Sequence, residues 1–137
     1  MRRGSYVLDI KLNRACELEI GRLGRFRFRP GPYFYVGSAM GGLDGRLARH
    51  ARGGPLRWHV DYLLTEAKLA GAWTVVSEDR LECRIARALS RILGLSVPRF
   101  GASDCRCPGH LFHGTRCRDV GEALERSAAV EAEYWRP

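Results

Sequence analysis

The chain has 137 residues, 45% of them hydrophobic and 28% charged, which suits one self-sufficient domain and leaves little room for two. The formal net charge is +8, and all but two of the 23 basic residues are arginine, a balance that points to a polyanionic partner, with nucleic acid first. No apolar run approaches the ~18 residues of a membrane helix, and Asp9 and Lys11 interrupt any apolar region behind Arg2-Arg3, so a cytoplasmic protein with no membrane partner is expected.

In chain order, Tyr6, Leu8, Ile10 and Leu12 alternate with Val7, Asp9 and Lys11 and predict a strand over 4–12. Residues 16–20 and 25–29 alternate too, joined by Gly21-Arg22-Leu23-Gly24, a hairpin signal. Gly31-Pro32 punctuates, and 33–38 reads as another strand. Leu43 to Arg52 has helical composition and stops at Gly53-Gly54-Pro55. Trp58 to Leu69 predicts a second helix, and Ala72 to Val76 a short β-like run. Ser77-Glu78-Asp79-Arg80 opens a third helix whose stripe is Ile85, Ala86, Leu89, Ile92 and Leu93, with Gly94 as its cap. Residues 99–118 look irregular, and 119–134 have the pattern of a last helix. The expected fold is a single α+β domain over 1–137. It has a small, mainly antiparallel central sheet of about three core strands plus a hairpin, flanked by helices.

Tyr6 and Tyr35 lie on strands that antiparallel pairing can bring together. Taken alone, they are ordinary sheet tyrosines. Arg46 and His50 share a helix face at i,i+4 and project from a glycine-rich turn towards those tyrosines. The bland reading is a solvated basic face. Glu82 falls on the apolar stripe of its helix, and a carboxylate there needs a partner. Asp79 and Glu82 have capping-box spacing, and a buried arginine pair is another solution. The sharper reading is a ligand for a hard divalent cation.

"GSY" at 4–6, "YVG" at 35–37, the arginine of "LDGRL" at 46, His50 and the acid of "ECRIAR" at 82 together resemble the GIY-YIG nuclease superfamily. Serine replaces the isoleucine of GIY. The longer strings "GPYFYVGSAMGGL", "RLARH", "RWHVDYLL", "FGASDCRC" and "HLF" look like one prokaryotic branch of it, frequent in archaea. Members of that branch also occur fused to endonuclease III-type repair enzymes. The resemblance covers about residues 4–113. It implies a GIY-YIG-like nuclease fold and hydrolysis of a DNA phosphodiester with one Mg²⁺ or Mn²⁺. In that scheme Tyr6 activates or positions the attacking water, Tyr35 orients the site, and Arg46 stabilises charge on the phosphate. His50 supports a tyrosine or the water, and Glu82 binds the metal. Gly37, Ser38, Arg49 and His59 are the expected nucleic-acid contacts, the glycines letting backbone approach a phosphate. Many members carry a late asparagine, whereas this chain has only Asn13. Ser103 or Asp104 could substitute.

The cysteines are Cys16, Cys83, Cys105, Cys107 and Cys117. An odd count without a secretory signal argues against an extracellular disulfide framework. Cys105, Cys107 and His110 form a cluster that Cys83 or Cys117 could complete. Plain buried thiols are its first reading, with structural zinc or a disulfide as alternatives. The function expected is a divalent-metal-dependent DNA endonuclease, in repair or in processing branched or single-stranded DNA. The alternatives are a non-catalytic nucleic-acid-binding module on the same scaffold and a zinc-stabilised interaction domain.

Overall fold

A computed structural model describes residues 1–114 and 118–137. Strand β1 (Gly4–Leu12) is followed by the hairpin β2 (Cys16–Ile20) and β3 (Gly24–Phe28), then by β4 (Gly31–Ala39). Helices α1 (Leu43–Arg52) and α2 (His59–Leu64) precede β5 (Lys68–Val76) and α3 (Glu82–Ser90). The short strands β6 (Gly94–Leu95) and β7 (Leu111–His113), helix α4 (Arg118–Arg126) and β8 (Glu133–Trp135) complete the described fold. It is α+β, with a mainly antiparallel sheet and four helices. One sheet runs β6-β7-β4-β1-β5-β8, and the β2-β3 hairpin stands apart.

The sheet carries helices on both faces. Tyr6, Leu8, Ile10 and Leu12 of β1 pack with Leu43 and Leu47 of α1 and Val60 and Leu63 of α2. Val7, Phe34, Val36 and Val75 pack on Ile85, Ala86 and Leu89 of α3 and Leu124 of α4. That is why β1 is buried on alternate and intervening positions alike, as a strand with cover on both sides must be. Each fully buried large apolar side chain contributes about 1.5–3 kcal/mol of transfer free energy, so the two cores together hold β1 at the centre.

Helix α1 begins and ends where its composition predicts, with Gly53 at φ 79° closing it. Other boundaries differ. The second helix ends at Leu64, and residues from Lys68 onward are strand, because β5 pairs with β1 out to Lys11↔Lys68. The ladder outweighs helical spacing there. Ser77–Arg80 is not helical either. Ser77 Oγ accepts from Asp79 N–H at 3.0 Å, a local turn that competes with helix. The helix starts at Glu82 with Leu81 as its N-cap, so the Asp79–Glu82 capping box does not form. Ile92 falls beyond the helix and is 48% exposed. The last helix stops at Arg126, and 133–135 pairs with β5 at the sheet edge. Among the described residues, no helix is long and apolar enough to cross a membrane.

Candidate active site and an adjoining cysteine–histidine cluster

The β1-β4 register sets Tyr6 opposite Gly37 and Leu8 opposite Tyr35. The two tyrosines are therefore diagonal neighbours on one face, with ring centroids 6.5 Å apart. Gly37 is buried, and a Cβ there would lie 2.5 Å from both Tyr6 Cζ and Tyr6 Oη. The missing side chain makes room for the Tyr6 phenol. Gly37 therefore has a packing reason of its own beside the expected phosphate approach.

Helix α1 lies over this face and delivers its own two groups. Tyr6 Oη and His50 Nε2 are 2.8 Å apart. Arg46 Nη1 donates to the Ser38 carbonyl at 2.9 Å, and its positive charge acts on the Tyr6 phenol. Ser38 thus orients Arg46 through backbone, while its own Oγ is buried with no partner among the described residues. Burial pushes Tyr6 up to about 12, opposed by Arg46. Burial, then Tyr6 and Glu82, holds Tyr35 well above the ordinary phenol range. Burial pulls His50 down to about 4, so the imidazole is neutral at pH 7 and pairs with the Tyr6 hydroxyl as a neutral ring.

Glu82 opens α3, whose body packs on the opposite sheet face, yet its carboxylate reaches the tyrosine side. Its charge acts on both Tyr6 and Tyr35. The helix start is pinned to β1, since Leu81 N–H donates to the buried Ser5 Oγ at 3.2 Å. The serine of "GSY", next to Tyr6, therefore ties the residue before the acid to the tyrosine-bearing strand. Burial raises the Glu82 pKa first, Arg80 lowers it, and Asp104 raises it. Asp104 is exposed and close enough to couple. Glu82 thus feels a second carboxylate, Asp104, and the positive charges of Arg80 and Arg46.

Two expected nucleic-acid contacts are otherwise engaged. Arg49 forms a forked pair with Asp61, Nη1–Oδ1 and Nη2–Oδ2 both 3.2 Å, and Asp61 is 4% exposed. Asp61 also accepts from the Arg57 and Trp58 amides at 2.8 Å each. Arg49 therefore neutralises a buried carboxylate that caps α2. His59 Nδ1 accepts from Gly101 N–H at 2.8 Å, and its ring packs on Phe100. It ties α2 to the loop that covers Tyr35. A Cβ on Gly101 would meet Tyr35 Cε1 at 2.6 Å, and its φ is +70°, so that loop approaches only because the residue is glycine.

Trp58 lies among the basic side chains of α1 and the segment before α2. The guanidiniums of Arg46, Arg49 and Arg57 lie 4.5, 5.2 and 5.7 Å from its ring centroid, and His50 stacks nearby at 5.6 Å. The indole thus gathers basic groups beside the tyrosines. The interleaving of "RLARH" with "RW" is the signal for it. Ser5 and Asp61 carry no site signal of their own in the sequence, because only their partners Leu81 and Arg49 give them a task.

A second cluster adjoins Glu82. One donor atom from each of Cys83, Cys105, Cys107 and His110 lies within 4.8 Å of the others. This Cys₃His set could bind a metal such as zinc. Cys83 comes from the first turn of α3, and the others from the loop before β7. Cys16, Cys83, Cys105 and Cys107 are free thiols, and Cys117 lies outside the described residues. Burial, then the neighbouring thiols, pushes Cys83 up to about 12. His113 packs on Tyr33.

No curated protein and no solved structure matches the chain. The family described as "Domain of unknown function DUF123" matches residues 5–132, a span that includes Tyr6, Tyr35, Arg46, His50, Glu82 and the whole Cys₃His cluster. The chain belongs to the DUF123 family.

Proposed function

We propose that this protein is a divalent-metal-dependent endonuclease of the GIY-YIG type that hydrolyses DNA phosphodiester bonds. The observation that carries this reading is convergence. Tyr6, Tyr35, Arg46, His50 and Glu82 come from four elements and act on one another at one end of the central sheet. The β4-β1-β5 core supports a GIY-YIG-like fold. The net charge of +8 and the arginines around Trp58 support DNA as the partner.

The residues present fit a hard cation through Glu82, with Asp104 beside it in place of the absent late asparagine. Such a cation supplies charge neutralisation at the phosphate and lowers the pKa of bound water. Arg46, held by Ser38 and stacked on Trp58, aims a fixed positive charge at the scissile phosphate, and needs no reorganisation as charge develops. Neutral His50 accepts the Tyr6 hydroxyl hydrogen. The Tyr6 oxygen then turns its lone pairs to the attacking water and holds it in line. Tyr35 walls the site on the other side and packs against Tyr6.

The test is a nicking assay over duplex, branched, damaged and single-stranded DNA with Mg²⁺ or Mn²⁺. Glu82→Gln should lower cleavage by orders of magnitude, since several kcal/mol of transition-state stabilisation depend on the cation and ~1.4 kcal/mol is tenfold in rate. DNA binding should survive, because arginines carry it. Arg46→Ala should lose activity that added metal cannot restore. A Glu82→Gln protein that cleaves at the wild-type rate, free of contaminating nuclease, overturns the assignment. A wild-type protein that binds but cuts nothing in the panel leaves the non-catalytic binding module.

A further inference from the structure

The Cys₃His cluster supplies none of the groups assigned to the phosphodiester site, and its geometry has its own logic. Cys105 Sγ and His110 Nε2 are 3.6 Å apart. A tetrahedral zinc with Zn–S of ~2.3 Å and Zn–N of ~2.0–2.1 Å spaces a sulfur and a nitrogen ligand about 3.6 Å apart, and two sulfurs about 3.8 Å. The four donors, all within 4.8 Å of one another, need only small movements to meet that figure.

The loop that supplies three of them is shaped in advance. The Arg99 guanidinium donates to the carbonyls of Ala102, Cys105 and Cys107, and the Arg99 amide to that of Pro108. Arg99 itself sits at φ 66°, outside the comfortable range for a residue with a side chain. One cation thus folds the chain around Cys105-x-Cys107, so a spacing tighter than usual still presents both thiols to Cys83. On the far side, His110 donates its amide to the Phe100 carbonyl, and its carbonyl accepts from Val36 N–H. The ring is clamped between the loop and β4.

An independent observation concerns the other ring nitrogen. His110 is 1% exposed, and its Nδ1 has no hydrogen-bond partner among the described residues. The Glu82 carboxylate lies beside it, Oε2 at 3.7 Å. A metal-bound histidine characteristically turns its second nitrogen, protonated, towards a carboxylate.

We propose that Cys83, Cys105, Cys107 and His110 bind one structural zinc ion, which staples the first turn of α3 to the loop before β7 and so positions the Glu82 carboxylate through His110. The ion is distinct from the hard cation of the proposed active site: soft thiolates select one, carboxylate oxygens the other. A disulfide between two of these thiols would leave the third thiol and the imidazole crowded together without a ligand or bond.

The experiment uses the full chain, purified without chelator, and does not depend on nuclease activity. Elemental analysis and native mass spectrometry should give one zinc per chain. Replacing it with Co²⁺ should give the strong visible absorption of a tetrahedral thiolate site. Cys83→Ser should lose both signals, while Cys16→Ser and Cys117→Ser keep them. Should Cys83→Ser not fold, the wild-type chain still answers. Thiols at 83, 105 and 107 should resist alkylation until a strong chelator is added, while Cys16 reacts equally with or without it. Zinc well below one per chain after reconstitution, a disulfide joining two of the three cysteines, or zinc lost in Cys117→Ser but not in Cys83→Ser would each overturn the proposal.

Discussion

Gly37→Ala tests how the candidate site is built. The Tyr6 ring lies across Gly37, with Cζ and Oη each 2.5 Å from where the new methyl would be. Tyr6 is 1% exposed, so the ring cannot swing away freely, and it is backed by His50 at 5.5 Å and Tyr35 at 6.5 Å between centroids. Relief must come from an off-rotamer phenol or a shifted strand, about 1–3 kcal/mol for overpacking. Displacing the hydroxyl from His50 adds about 1 kcal/mol for the lost hydrogen bond. The sum is about 2–4 kcal/mol, a melting temperature lower by on the order of 10 °C for a chain of this size. Gly45→Ala is the control. Its Cβ meets nothing within 4 Å, and it lies inside α1, where Ala is favoured over Gly by about 0.8–1 kcal/mol. Urea denaturation reads both. A Gly37→Ala protein within ~0.5 kcal/mol of wild type, the ordinary range for an unconstrained surface change, would refute the claim that this glycine exists for Tyr6.

Three further outcomes follow from individual groups. His50 is held at about 4 when folded, against 6.5 when free, so the unfolded chain takes up its proton first. Its contribution is fully present above about pH 6.5 and lost as pH falls towards 4, at ~1.4 kcal/mol per pH unit and about 3 kcal/mol in all. Stability measured against pH should flatten over that window in His50→Gln, and an unchanged slope would contradict the burial. Arg49→Ala strands the buried Asp61 carboxylate and should cost about 3–5 kcal/mol. If instead it melts like wild type and loses only DNA affinity, Arg49 belongs to the DNA interface after all. DNA affinity should fall steeply with salt, each neutralised phosphate adding about −0.9 to the log–log slope on duplex. Arg57→Ala should flatten that slope by about one contact, and a wild-type slope near zero would give the basic surface another purpose.

Much of the fold was legible because its central elements bury faces with a simple period. Tyr6-Leu8-Ile10-Leu12 reads as a strand, and 43–52 as a helix with a glycine stop. The edge strands were not legible. Gly94–Leu95, Leu111–His113 and Glu133–Trp135 are two or three residues long, too short for any period, and they exist only through pairing with a partner already in place. The same division runs through the site. Tyr6, Tyr35, Arg46, His50 and Glu82 stood out as chemical types in order along the chain. Arg49 and His59 looked equally free, and only the fold reveals Asp61 and the Gly101 amide as their partners. A buried carboxylate and a backbone donor in a distant loop leave no local trace in sequence.

Glu82 is where the two proposed ions meet, and its two oxygens explain why they need not compete. Oε2 lies 3.7 Å from His110 Nδ1, and Oε1 lies 3.7 Å from Arg80 Nη1. Zinc on His110 Nε2 requires the ring proton on Nδ1, which then points at Oε2. Shortened to a hydrogen bond once zinc fills the Cys₃His set, that 3.7 Å contact would fix the carboxylate plane and leave Oε1 for the hard cation. Arg80 is exposed, so its long ion pair is weak and yields readily to a divalent charge. Removing zinc should therefore leave DNA affinity and its salt slope intact while lowering the cleavage rate at saturating Mg²⁺. Glu82→Gln should abolish cleavage with zinc still bound. If zinc removal instead weakened DNA binding and cleavage together, the ion would be holding the whole fold rather than one carboxylate.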